Sequence, residues 1–129
     1  MKLHHIGYYV KDMDAAIKSF LRLGGAVQQP PMFDASRHVN IAFLSTGGGL
    51  LELVEPAAEC TLFRNRKQWR ESKPYHICYE VEDMDMALKN MQDKGALIIQ
   101  PPMPAPAIDN RNVAFLYDSE IGLIELVET

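Results

Sequence analysis

Long apolar runs are missing from this chain of 129 residues. None approaches the ~20 residues that a helix needs to cross a bilayer, so no membrane partner is expected. The first residues, Met1-Lys2-Leu3-His4-His5, contain no apolar h-region, and no secretory signal is expected. Cysteine is scarce. Cys60 and Cys78 are the only two, which argues against a disulfide framework and fits a reducing, cytoplasmic setting. Positive charge is in deficit, and a net charge of −4 argues against nucleic acid as a partner. What remains is 47% apolar and 23% charged, the balance of a globular domain long enough to bury a core.

What the chain does contain is a copy of itself. His5-Ile6-Gly7-Tyr8-Tyr9-Val10-Lys11-Asp12-Met13-Asp14 returns as His76-Ile77-Cys78-Tyr79-Glu80-Val81-Glu82-Asp83-Met84-Asp85. At the same offset Gln29-Pro30-Pro31-Met32 returns as Gln100-Pro101-Pro102-Met103. With slips of one residue each, Ala42-Phe43-Leu44 returns as Ala114-Phe115-Leu116, and Gly49 to Glu55 as Gly122 to Glu128. Matches in this order mark an internal duplication.

Each copy reads as strand, helix, strand, strand, strand, an α+β module. Leu3–Val10 alternates as a strand, with Ile6, Tyr8 and Val10 on one face. Asp12 is placed to cap a helix whose apolar stripe is Met13, Ala16, Ile17, Phe20 and Leu21, stopped by Gly24-Gly25. Strands are expected at 26–29, 39–45 and 50–55, the last two joined by a Gly-rich turn. Pro30-Pro31 is expected to end the first of these. The second copy predicts strands at 75–81, 96–100, 112–117 and 123–127 and a helix over 84–94. Residues 101–109, rich in Pro and Ala, are expected to form a covering loop. The expected organisation is one domain over 1–129, with modules at about 1–56 and 75–129 and a linker over 57–74. A linker helix is expected over 61–73, docked by Leu62, Phe63 and Trp69. Residues 60–73 hold Arg64, Arg66, Lys67, Arg70 and Lys73 against Glu71, a net +4, so the remainder carries −8. That stretch is either a solvated face or a cationic rim for an anionic substrate tail.

The duplication pairs His5 with His76 and Glu52 with Glu125. Alternation puts Ile77, Tyr79 and Val81 toward the helix and His76 on the other face; Glu125 alternates with Ile124 and Leu126 in the same way. Two imidazoles and two carboxylates on one buried face suit a divalent metal, because four unpaired polar groups there would be costly. Elsewhere, His4 reads as structural and His38 sits at a loop–strand junction without a repeat partner. Glu80 could support His76 or line the rim, and Cys78 reads as a small filler. Asn40 and Asn112 are repeat equivalents that could donate to a ligand, and Arg111 could clamp an anion.

On these residues the chain resembles the vicinal oxygen chelate superfamily, the glyoxalase, bleomycin-resistance and dioxygenase group. The resemblance implies two tandem βαβββ modules forming a cup-shaped mixed sheet around a metal site. It implies metal ligation by His5, Glu52, His76 and Glu125, one divalent ion (Ni, Zn or Co) per site, and a homodimer. His76 to Val81 with Asp83 is similar to methylmalonyl-CoA epimerases; Ala105 to Leu116 and Gly122 to Leu126 are similar to short glyoxalase I proteins. The epimerases carry a further catalytic Glu where this chain has Asn40, which leaves Glu125 or Glu52 as the base. The implied activity is a metal-dependent lyase or isomerase of the glyoxalase I type, acting on a thiol–2-oxoaldehyde adduct. The alternative is an acyl-CoA epimerase of the methylmalonyl-CoA kind. Four protein ligands argue against an extradiol dioxygenase. A drug-sequestering protein, the reading from another class, is disfavoured by the presence of all four ligand positions.

Overall fold

Aspartate caps and glycine stops set the two helices. In the computed structural model, which describes residues 1–65 and 67–129, Asp12 accepts from the Ala15 N–H and opens α1 (Met13–Arg22). Asp83 accepts from the Met86 N–H and opens α2 (Met84–Asp93). Gly24 and Gly95, at φ 90° and 100°, take the left-handed conformation just past each helix. Around them run β1 (Lys2–Tyr9), β2 (Ala26–Asp34), β3 (Val39–Ser45) and β4 (Leu50–Pro56), then β5 (Lys73–Val81), β6 (Leu97–Ala105), β7 (Arg111–Asp118) and β8 (Gly122–Glu128). The order β-α-β-β-β therefore occurs twice, as the duplication requires. No helix among the described residues is long and apolar enough to cross a membrane.

The chain forms two compact units, Ile6–Tyr75 and Met1–His5 with His76–Thr129. The first five residues thus group with the second module. In the Ile6–Tyr75 unit, β3 runs antiparallel to β2 and β4, and β4 runs parallel to β1 from Ile6 to Tyr9. Its core is Val10, Met13, Ala42, Leu44 and Leu53, with Tyr8, Ile17 and Phe20 against it. In the other unit β7 runs antiparallel to β6 and β8, and β8 runs parallel to β5. Its core is Val81, Met84, Leu88, Ala96, Ala114, Leu116, Ile124 and Leu126. In each unit the helix covers one face of the strands. Tyr79 and Val81 meet α2 as alternation requires, but Ile77 is 42% exposed and does not.

Three expectations change. β2 and β6 do not stop before their Pro-Pro pairs but run on to Asp34 and Ala105. Each is the outermost strand of its unit, and its register shifts around the prolines, between Gln29 and Met32 and between Gln100 and Met103. An edge strand has a side without ladder partners, so a missing N–H costs it little. Only Pro106–Ile108 of the expected covering loop is irregular enough to form a short 3-10 turn. The expected linker helix is also absent from the described residues of 61–73, which form turns; Arg66 lies outside the described residues. Phe63 and Trp69 do dock. With Tyr9 and Tyr75 they form an edge-to-face aromatic cluster at centroid distances of 4.6–5.7 Å. Leu62 is 60% exposed and does not.

Candidate metal centre

Five polar or charged residues are buried among those described: His5, Asp34, Glu52, His76 and Glu125. Four of them are the repeat-related histidines and glutamates. Asp34 is the exception, and its local partners account for it. It accepts from Ser36 Oγ at 2.6 Å and from Arg37 Nη1 at 2.9 Å. Burial pushes its carboxyl up, but these bonds and the Arg37 charge hold it below the ordinary value.

His5, His76 and Glu125 meet within one unit. Ile124 and Leu126 face the helix side, so Glu125 projects from the opposite face of β8. On β5, Tyr79 and Val81 face the helix and His76 and Cys78 do not; the parallel register sets Cys78 beside Glu125. Phe115, opposite Glu125 on β7, stands edge-on to His76 at 5.3 Å. The His5 and His76 Nε2 atoms are 3.1 Å apart. Glu125 Oε2 lies 2.9 Å from His76 Nε2 and 3.7 Å from His5 Nε2. Burial drives the Glu125 carboxyl upward; hydrogen bonds from His5 and His76, with their charge, outweigh it and hold the group far below the ordinary carboxylate range.

Three electron-pair donors facing one another inside a protein need a cation among them, a proton or a metal ion. The spacing fits a metal. Bonds of about 2.0–2.1 Å at octahedral to tetrahedral angles separate ligand atoms by about 2.9–3.4 Å. The two shorter separations fall in that range and the third just beyond it. Imidazole with carboxylate suits Zn²⁺, Ni²⁺, Co²⁺ or Mn²⁺. Glu52, the repeat counterpart of Glu125, lies on β4 of the other unit, 5% exposed, paired with Phe43 on one side and Gly7 on the other.

The remaining candidates take other places. Asn40 Nδ2 donates to Glu55 Oε1 at 3.0 Å, and Asn112 Nδ2 to Glu128 Oε2 at 3.3 Å. Those glutamates accept from the first helical N–H of α1 and α2, from Met13 and Met84. Both asparagines therefore sit on the helix side of their strands. Arg111 donates from Nε to the Glu128 carbonyl at 2.7 Å and places Nη2 at 3.8 Å from Glu80. His38 takes a left-handed φ of 56° in the turn before β3. Cys78 is fully buried.

The contact of His4 with His5 was not anticipated from the sequence, where His4 reads as structural. His4 Nδ1 is 2.7 Å from His5 Nδ1, and His4 Nε2 is 3.9 Å from Glu80 Oε1. Alternation separates the Cβ atoms of neighbours, but Nδ1 is bonded to Cγ, close to the backbone, and two such atoms still meet. Burial first, then the nearby His5 and Arg111, lower the His4 pKa; Glu80 and Glu125 only partly offset this, so His4 favours its neutral form.

Relatives share this architecture. A curated relative, the ethylmalonyl-CoA/methylmalonyl-CoA epimerase of Cereibacter sphaeroides, is 27% identical over 97% of this chain and 96% of its own length. A hypothetical protein from Bacillus halodurans is 26% identical, with a TM-score of 0.85 over 99% of this chain and 94% of that one. A variant of the Streptomyces coelicolor methylmalonyl-CoA epimerase, solved with 2-nitronate-propionyl-CoA, is 23% identical and matches in fold, with a TM-score of 0.81 over 100% of this chain and 97% of that one. The family model for the glyoxalase/bleomycin resistance protein/dioxygenase superfamily matches residues 4–115, and the chain belongs to that superfamily.

Proposed function

We propose that this protein is a metal-dependent epimerase of a 2-branched acyl-CoA thioester. The observation that carries the reading is the buried meeting of His5, His76 and Glu125, in a chain whose full-length relative is an ethylmalonyl-CoA/methylmalonyl-CoA epimerase. Support for the glyoxalase I reading stops at the superfamily, so the epimerase, the alternative above, becomes the main reading.

His5, His76 and Glu125 would hold the ion. By repeat equivalence Glu52 is proposed as the fourth ligand. The ion, of Ni, Zn or Co type, would supply Lewis-acid stabilisation of charge on the thioester oxygen. Epimerisation removes the proton at C2 and returns one to the opposite face of the planar carbon. Two proton-carrying groups serve this best, and Glu125 and Glu52 are the proposed pair. Glu125 is held ionised and so has room for a proton, while the same contacts lower its basicity. Asn40, tied to Glu55, carries no carboxylate for the task.

The thiol partner is read from the connecting segment. Within the Ile6–Tyr75 unit a cavity of about 610 Å³ is lined by Tyr9, Lys11, Pro56, Lys67, Trp69 and Arg70. Three cations beside an aromatic wall suit the phosphates and adenine of coenzyme A.

Deuterium uptake at C2 of methylmalonyl-CoA, followed by proton NMR in D₂O, tests the reading. Uptake with loss of optical activity, dependent on added divalent metal, supports it. Turnover of a methylglyoxal–thiol adduct without exchange on the CoA thioester overturns it in favour of the lyase.

A further inference from the structure

The metal-centre reading leaves a short file of groups, running from buried His5 out to half-buried His4, Glu80 and Arg111, without a role. His5 Nδ1 faces His4 Nδ1 at 2.7 Å; His4 Nε2 points to Glu80 at 3.9 Å, and Glu80 lies 3.8 Å from Arg111. All four residues belong to one unit. Two nitrogens 2.7 Å apart must share a proton, so one is a donor and the other an acceptor. For His5 to offer Nε2 as an electron-pair donor, its single proton must sit on Nδ1. His4 Nδ1 is then the acceptor, and neutral His4 carries its own proton on Nε2, toward Glu80.

We propose that His4, oriented by Glu80, is a positioning residue for the metal centre: it takes the Nδ1–H hydrogen bond of His5 and fixes the His5 tautomer that ligates through Nε2. Groups that hold the far nitrogen of a ligating imidazole set its tautomer, ring orientation and basicity. Glu80 brings negative charge to the end of the file, and Arg111 keeps that carboxylate in place. The inference rests on the metal-centre part of the proposed function and not on the substrate.

A rival use of the same residues is a separate metal site of His4, His5 and Cys78, whose donor atoms lie within 4.8 Å of one another. The 2.7 Å separation argues against it, since two nitrogens on one ion stand about 2.9 Å apart or more. His5 Nε2, at 3.1 Å from His76 Nε2, faces the other set instead.

The test is metal affinity, with no substrate present. Co²⁺ is titrated against a chromophoric chelator into the wild type, His4→Leu, His4→Asn and Glu80→Gln, with thermal unfolding of each metal-free protein as the control for folding. The Asn amide oxygen is bonded to Cγ, like Nδ1, and can accept the same proton; Leu cannot. His4→Leu is expected to weaken Co²⁺ binding roughly 10–100-fold. His4→Asn is expected to restore most of it, and Glu80→Gln to fall between. Equal affinity of His4→Leu and wild type overturns the inference. So does His4→Asn binding as weakly as His4→Leu, which marks a packing role, or a cobalt–thiolate absorption band that Cys78→Ser abolishes. A wild type that binds no divalent ion overturns the centre and this inference together. The expected affinities without exchange on any CoA thioester overturn only the substrate reading.

Discussion

Glu125 lives between two opposed effects, and its substitutions separate them. Burial disfavours its charge, while the His5 and His76 nitrogens demand it. Glu125→Gln keeps an oxygen of the same reach but removes both the charge and the proposed base. It should lower turnover by about 10²–10⁴, the usual worth of a positioned acid–base group, and weaken the metal less than His76→Ala, which deletes a donor atom. Metal content of the three purified proteins, read beside deuterium exchange, checks this ordering; Glu125→Gln with full exchange activity would exclude it as a base. Asp34 offers a pH-dependent counterpart. Its carboxyl is held below its ordinary value in the folded chain, so its contribution to stability is fully present above pH about 4 and fades as pH falls through the depressed folded value. Asp34→Asn should cost about 2 kcal/mol at pH 7, the scale of hydrogen bonds to a charged group. The gap to wild type should narrow below pH about 4. Urea unfolding at both pH values measures it, and a gap that is constant or grows on acidification contradicts the assignment.

At the scale of elements, the duplication extends to a device that sequence reading did not notice. A glutamate near the end of β4 and of β8 accepts the first N–H of the module's helix, and an asparagine of the neighbouring strand steadies it. With Asp12 and Asp83 on the third N–H, two of the four orphan donors at each helix start are satisfied. Asp12→Ala and Asp83→Ala should each cost about 1 kcal/mol. Because the caps serve helices in different units and share no partner, the double variant should sum to within about 0.5 kcal/mol; a larger departure in denaturant unfolding would show that the caps are coupled. The same device gives Asn40 and Asn112, expected from the sequence to donate to a ligand, a partner within the protein. Their repeat equivalence was plain, but equivalence says only that two residues do the same thing. The burial of His76 and Glu125 was legible because period-two alternation opposite Tyr79, Val81, Ile124 and Leu126 fixed their face, and the repeat carried the expectation of burial to His5 and Glu52. β2 and β6 were cut short because the proline penalty is a rule for central strands, and nothing local marks a strand as outermost. His4 was hidden because its counterpart, Tyr75, cannot repeat its role.

For the molecule as a whole, the uneven charge makes the sharpest prediction. The chain is acidic overall, yet Lys11, Lys67, Arg70 and Lys73 gather around two adjoining cavities, with Glu71 the only acid among the lining residues. Lys73 Nζ stands 4.9 Å over the Trp69 ring, and the Tyr9 hydroxyl donates to the Trp69 carbonyl at 3.0 Å, so the aromatic wall is fixed in place. An acidic protein that repels polyanions elsewhere gains selectivity by keeping its cations at one spot. If that spot takes the phosphates of coenzyme A, Lys67→Glu with Arg70→Glu should raise KM for the CoA thioester about tenfold or more, the equivalent of one lost charge-assisted hydrogen bond, and leave kcat nearly unchanged. The same double variant should not alter KM for the corresponding N-acetylcysteamine thioester, which carries the acyl group and thioester without the nucleotide. Raising the ionic strength should weaken the CoA substrate and spare the truncated one, because exposed charges are screened within about 8–10 Å. Equal effects on both substrates would mean that the cations act on the fold or on the acyl group. No effect on either would leave the segment as a solvated face, the alternative its composition always allowed.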